Sequence, residues 1–189
     1  KEVVDATYST GSTSTASCFN FSNSLTTNRK DYNSIIMTFF KSTCYEDYLP
    51  YMTKGNDVVL VVNTTNLFGD EAGADDRNLD LFGDWDGGDI KYSFKYDIKE
   101  GTSGTDMIPA IRLSEMYYIM GEYFAYKDEF SKAGEMLDKV RYARGISTTN
   151  LASSIGSLEV FHTHLIKEMR REFVGEGQMF FQYKRLDQK

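Results

Sequence analysis

Three segments in the second half of the chain repeat their apolar residues at helical spacing, and this pattern constrains the fold more than any other feature. The first helix is expected from about Ala110 to Tyr126. The second carries Phe130, Ala133, Leu137 and Val140 on one face and runs to about Arg144, with Gly145 as its C′ residue. Asp128, in the Lys-Asp-Glu-Phe turn between them, is the expected N-cap. The third runs from about Leu158 to Phe173, with Leu158, Phe161, Leu165, Ile166, Met169 and Phe173 on one side, and Gly175 and Gly177 end it. Side chains three and four apart share a helix face, so each segment must bury one stripe against a neighbour.

The first hundred or so residues have a different character. They are rich in Ser, Thr, Asn, Gly, Asp and Tyr, and the change falls at Gly101-Thr102-Ser103-Gly104. Val58 to Val62 is a continuous β-branched run, as in a buried strand. Lys91 to Ile98 alternates, with Tyr92, Phe94, Tyr96 and Ile98 on one face and Lys91, Ser93, Lys95 and Asp97 on the other, a half-buried strand. Ser34 to Phe40 suits helix or strand alike. The remainder reads as long loops, which in compact domains more often carry binding than packing. The chain is therefore expected to be mainly α, with a loop-rich region of short strands at 1–104 and a helical region at 105–189 in one structural unit.

Its 189 residues suffice for a sizeable core. Lys and Arg number 21 against 28 Asp and Glu, a net charge of −7, which does not suit nucleic-acid binding through phosphates. No apolar run reaches the length of about eighteen residues needed to span a membrane, and no basic-then-apolar leader is visible. A start at Lys1 suggests a processed chain or a fragment. Cys18 and Cys44 form no metal-type pair and are expected as free thiols, one disulfide in an oxidising compartment being the alternative. His162 and His164 stand two apart, so a helix points them away from each other and they make a poor metal pair. No cofactor is expected.

Tyr117, Met120, Gly121 and Phe124, followed by Ala133 and Leu137, resemble a tetratricopeptide (TPR) repeat, with Gly145 where the repeat's terminal proline would stand. Small residues at Gly121 and Ala133 let the two helices touch. One such unit cannot bury both of its faces, so covering helices are expected from another part of the protein or another chain.

The stretch from Glu168 to Arg185 adds a charge cluster, a Gly-Glu-Gly break and an aromatic pair. Glu168, Arg171 and Glu172 are spaced at i, i+3 and i+4, so the plain reading is a solvated helix face whose pairs each contribute a few tenths of a kcal/mol. Glu172 and Glu176 as an acid/base pair is the competing reading, and it lacks a nearby histidine, nucleophile or metal cluster.

Taken in order, Arg112-Leu113-x-Glu115, then Asp138-x-Val140-Arg141 with Arg144-Gly145, then Glu168-x-Arg170-Arg171-Glu172, Glu176-Gly177, Phe181 and Lys184-Arg185 resemble the C-terminal region of the SusD/RagB family. Asp75 to Phe82 resembles that family's Asp-x-Arg segment, and Lys1 to Tyr8 the strand that opens its second half. Gly121 in place of the usual Ala and Gln182 in place of an Asp are departures. The resemblance implies a SusD-like fold of α-α superhelix type and a surface-exposed outer-membrane lipoprotein of Bacteroidetes-type bacteria. It also implies that the anchor and N-terminal helical repeats lie outside this chain. It implies capture of a glycan or other nutrient beside a SusC-like TonB-dependent transporter, without catalysis.

Ligand residues in such proteins vary, so only chemistry can nominate them here. Sugars stack C–H faces on aromatic rings and offer hydroxyls to carboxylates and amides. Trp85, the sole tryptophan, lies between Asp84 and Asp86 among glycines, just before Tyr92. Tyr45, Tyr48 and Tyr51 form a second aromatic cluster. The competing readings are a core anchor for Trp85 and ordinary packing for the tyrosines. Asp84, Asp86 and Asp89 admit a calcium loop or a plain solvated acidic loop. A repeat-type scaffold without its own ligand, and a glycosidase working through two carboxylates, are the other classes weighed.

Overall fold

A computed structural model describes residues 7–9, 15–17, 35–40, 61–84, 90–93, 107–147 and 150–187, with side chains described at 62–83, 91, 93, 111–147 and 150–187. Short strands come first: β1 (Thr7–Ser9), β2 (Thr15–Ser17), β3 (Ile35–Phe40) and β4 (Val61–Asn63). Then come α1 (Thr64–Phe68), a 3₁₀ turn at Gly69–Glu71, α2 (Asp76–Leu81), β5 (Phe82–Asp84), β6 (Ile90–Ser93) and β7 (Met107–Arg112). The helical part is α3 (Leu113–Ala125), α4 (Phe130–Ala143), a 3₁₀ turn at Leu151–Ser153, α5 (Leu158–Glu172) and α6 (Met179–Arg185). Helices dominate the described residues, so the chain is mainly α as expected.

Among the described residues the strands form three small antiparallel sheets, β1–β2, β3–β7 and β4–β6–β5. Val61 and Val62 belong to β4, while 58–60 of the expected strand lie outside the described residues. Of the alternating segment, Lys91 to Ser93 belong to β6, while 94–98 lie outside the described residues, and Ser93, assigned to the polar face, is buried. Of the ambiguous Ser34–Phe40 run, Ile35–Phe40 is a strand.

The first long helix begins three residues later than its pattern suggests. Met107–Arg112 is instead extended against β3, with Pro109 opposite Thr38. Proline lacks a donor and fits an edge position better than a helix interior. Arg112 is the N-cap residue, and its N–H donates to Glu115 Oε1 at 3.0 Å. Asp128 is not an N-cap: it adopts φ 58°, and Glu129 holds that position without a side-chain cap. The tight reversal after α3 needs one left-handed residue, which aspartate tolerates better than most. Its N–H donates to Ala125 O at 3.1 Å, and that of Glu129 to Phe124 O at 2.9 Å.

The core lies between α3, α4 and α5. It contains Tyr118, Ala125, Ala133, Leu137, Val140, Phe161, Leu165, Met169 and Phe173, with Tyr117, Phe124, Phe130 and Leu158 at its margin. Tyr118, rather than Tyr117, is the fully buried aromatic of α3, and it meets Phe173 edge-on at 5.9 Å. A Cβ on Gly121 would stand 3.1 Å from Phe161 Cζ and 3.5 Å from Ala133 O, so this glycine admits both neighbouring helices. Gly145 takes φ 83° at the end of α4, as its C′ role requires, and a Cβ there would meet Ala74 O at 2.7 Å. Among the described residues no helix is long and apolar enough to cross a membrane. Ile119 and Tyr123 on α3, Tyr126 at its C-cap, and Phe180 and Phe181 on α6 are exposed.

Candidate functional site

The Glu168–Glu172 charge cluster is not a solvated face. Glu168 is 1% exposed, Arg171 0% and Glu172 3%. Helical spacing keeps the three on one side of α5, and the other elements bring partners to that side from far along the chain.

Glu168 accepts from three guanidiniums: Arg77 Nη2 to Oε2 at 2.9 Å, Arg141 Nη1 to Oε1 at 2.9 Å and Arg171 Nη1 to Oε1 at 3.0 Å. Glu172 takes a bidentate pair from Arg144, Nη2 to Oε1 at 2.7 Å and Nε to Oε2 at 3.2 Å, and Arg77 Nη1 also donates to its Oε2 at 3.2 Å. Asp75, just before α2, accepts from the Arg77 backbone N–H at 3.0 Å and its side chain at 2.9 and 2.8 Å. Glu71, in the 3₁₀ turn, bridges Arg141 Nη2 and Arg171 Nη1, each at 2.6 Å. Arg171 also donates to two main-chain carbonyls, Leu67 O at 3.2 Å and Phe68 O at 2.8 Å, and its guanidinium lies 5.5 Å from the Phe68 ring centre.

The cluster thus sets four carboxylates (Glu71, Asp75, Glu168, Glu172) against four arginines (Arg77, Arg141, Arg144, Arg171). Burial alone would raise a carboxyl, but at Glu71 the hydrogen bonds and charges of Arg141 and Arg171 outweigh it and hold the group at about 2. At Glu172 burial is likewise overcome, by the charge and hydrogen bonds of Arg144 and then by Arg77 and Arg112, and the group falls well below the usual carboxylate range. Arg77 rises well above its usual value: the charges of Glu168 and Asp75 outweigh its desolvation. A short distance away Arg112 Nη2 donates to Glu176 Oε1 at 2.6 Å. Burial raises Glu115, but its carboxylate caps α3.

Chemically, this is a set of carboxylates and guanidiniums whose hydrogen bonds are made mainly to one another. The reading of a few tenths of a kcal/mol per pair fails because it assumed water around the cluster. Buried pairs are strongly coupled, and removing one partner strands the other in low dielectric. The family motifs supplied the right residues, but not their convergence. One signal was available: Glu168 and Glu172 interleave with the apolar positions Leu165 and Met169 rather than lying opposite them.

Of the nominated ligand residues, Asp84 and Tyr92 fall within described strands. Asp84 ends β5 and Tyr92 lies in the adjacent β6, where Gly83 pairs with Tyr92 and Asp84 with Lys91. The backbone therefore brings these two positions together. Trp85, Asp86, Asp89, Tyr45, Tyr48 and Tyr51 lie outside the described residues, as do Cys18 and Cys44. His162 and His164 both lie in α5, and no group of three potential metal ligands occurs among the described residues. Burial lowers both His162 and His164.

The sequence profile of the SusD family matches residues 21–189, most of the chain. The protein belongs to this family, whose members are nutrient- or glycan-binding lipoproteins of the outer-membrane surface, generally without catalytic activity. Comparisons with curated proteins and with solved structures returned no match.

Proposed function

We propose that this chain is the glycan- or nutrient-binding component of an outer-membrane uptake system and works beside a SusC-like TonB-dependent transporter. Membership of the SusD family over residues 21–189 carries this reading. The local chemistry agrees with binding rather than hydrolysis. A glycosidase acid must hold a proton near neutrality, whereas Glu71 and Glu172 are locked as anions by arginines. In the intact protein a lipid anchor would hold the binding face outside the cell.

The ligand face we assign is the β5–β6 edge and its loop, with Trp85 as stacking ring, Asp84, Asp86 and Tyr92 as polar partners, and Tyr45 and Tyr48 as a second aromatic group. The pairing of Gly83 with Tyr92 supports the first grouping. Calorimetric titration with a panel of oligosaccharides tests it. Trp85→Ala should weaken binding about tenfold or more, since a stacking ring contributes about 1 kcal/mol beyond its burial. A folded Trp85→Ala protein with undiminished affinity would shift the assignment to Tyr45 and Tyr48. A second reading, a repeat scaffold without its own ligand, draws on the exposed Ile119, Tyr123, Tyr126, Phe180 and Phe181. It requires that no oligosaccharide bind and that partner capture depend on these side chains.

A further inference from the structure

In the three-stranded sheet β6 is central and β4 and β5 are the outer strands. Each outer strand is continuous with a helix. β4 ends at Asn63 and α1 begins at Thr64; α2 ends at Leu81 and β5 begins at Phe82. Each helix is held by a buried arginine from opposite sides of the same charge cluster. Arg171 of α5 grips the end of α1 through the carbonyls of Leu67 and Phe68. Arg77 of α2 reaches back to Glu168 and Glu172 of α5. A small apolar contact of Leu67, Phe68, Leu81 and Phe82, with Phe68 and Phe82 edge-on at 5.8 Å, fills the space between these two attachments.

We infer that Arg77 and Arg171 are positioning residues that suspend the β4–β6–β5 sheet from α5, and so set the geometry of the strand pair bearing Asp84 and Tyr92. The inference rests on the reading of that pair as the ligand face, but neither arginine touches a ligand. Both are essentially inaccessible, at 1% and 0% exposure. Carbonyls at a helix end are poorly satisfied by the helix itself, so two guanidinium donors there fix the direction in which the helix leaves the sheet. A one-point cation cannot reproduce the fork that holds both carbonyls together with Glu71 and Glu168.

Amide hydrogen exchange on the full chain decides the matter without any ligand. In Arg77→Met and Arg171→Met, amides of β4, β5 and β6 should exchange at least tenfold faster than in the unmodified protein, while those of α3 and α4 stay within about twofold. Arg171→Lys should fall between. Equal acceleration in α3 and α4, or unchanged exchange in the strands, overturns the inference. Should both methionine variants fail to fold, exchange of the unmodified protein in rising urea replaces them. The three strands should then open together with α1 and α2, below the urea concentration that opens α3 and α4. Opening only with α3 and α4 refutes the suspension. Because no glycan enters either measurement, a failed ligand assignment and a failed suspension are told apart.

Discussion

Glu168→Gln is the sharpest single perturbation this structure offers. The substitution keeps shape and volume but removes one negative charge from a buried cluster of four carboxylates and four arginines. The new amide presents donors to guanidiniums that are themselves donors only, so at most one oxygen remains to serve Arg77, Arg141 and Arg171. Three charge-assisted hydrogen bonds are weakened, and an excess arginine charge stays buried. Breaking a buried pair by removing one partner costs about 3–5 kcal/mol. That is a large part of the roughly 5–15 kcal/mol that stabilises an ordinary domain, and it corresponds to a fall in Tm of about 6–20 °C at this size. The assay is urea unfolding followed by circular dichroism, with the midpoint read at constant slope. Glu122→Gln serves as control. Its bidentate partner Arg185 is 46% exposed, so the loss there should stay below about 1 kcal/mol. A Glu168→Gln protein within 1 kcal/mol of the unmodified one would refute the reasoning, because the cluster would then behave as the solvated face its spacing first suggested.

Glu172→Ala should destabilise more than Glu176→Ala, since Glu172 loses Arg144 and Arg77 and Glu176 loses Arg112, and neither change should move the affinity of a bound glycan in protein that remains folded; thermal melts beside calorimetry check both. Glu71 is lowered to about 2, so its contribution is present above the usual carboxylate value of 4.5 and is lost as pH falls toward 2. Glu71→Gln should flatten the fall in stability across that window, as read from urea midpoints at each pH; Glu115, raised by burial, acts in the opposite sense. Gly134→Ala should destabilise by about 1–3 kcal/mol despite alanine's better helix propensity, because the added Cβ would lie 2.6 Å from the Ala152 backbone, whereas Gly73→Ala meets open space and should be neutral; paired melts separate the two.

The helices were legible because their stripes are local. Phe161, Leu165 and Met169, or Ala133, Leu137 and Val140, announce their burial from spacing alone. Gly145 as a C′ residue was legible for the same reason. What escaped was set by distant partners. Met107–Arg112 became a strand because Ile35–Phe40 lies beside it, and a local pattern cannot show that. Glu168, Arg171 and Glu172 looked solvated because charge predicts exposure unless opposite charges arrive from elsewhere, here from Glu71, Asp75 and Arg77. For the proposed ligand face, the register of Gly83 with Tyr92 goes beyond what loop composition could give.

The bonds from Arg77 to Glu172 and from Arg171 to Leu67 join residues 95 and 104 positions apart in the chain. Closing a loop of that length costs about 4 kcal/mol of chain entropy before any reward is collected. The α3–α4 hairpin needs no such closure, since Gly121 and Ala133 meet across a short turn. Folding therefore has a natural sequence in time. The local helical hairpin can form early, and we expect the arginine–carboxylate contacts to lock late, on the native side of the rate-limiting barrier. Damage to those contacts would then leave the refolding rate nearly untouched and quicken unfolding instead. At the cell-surface location proposed above, the cluster would then be a determinant of lifetime rather than of how readily the chain reaches its fold.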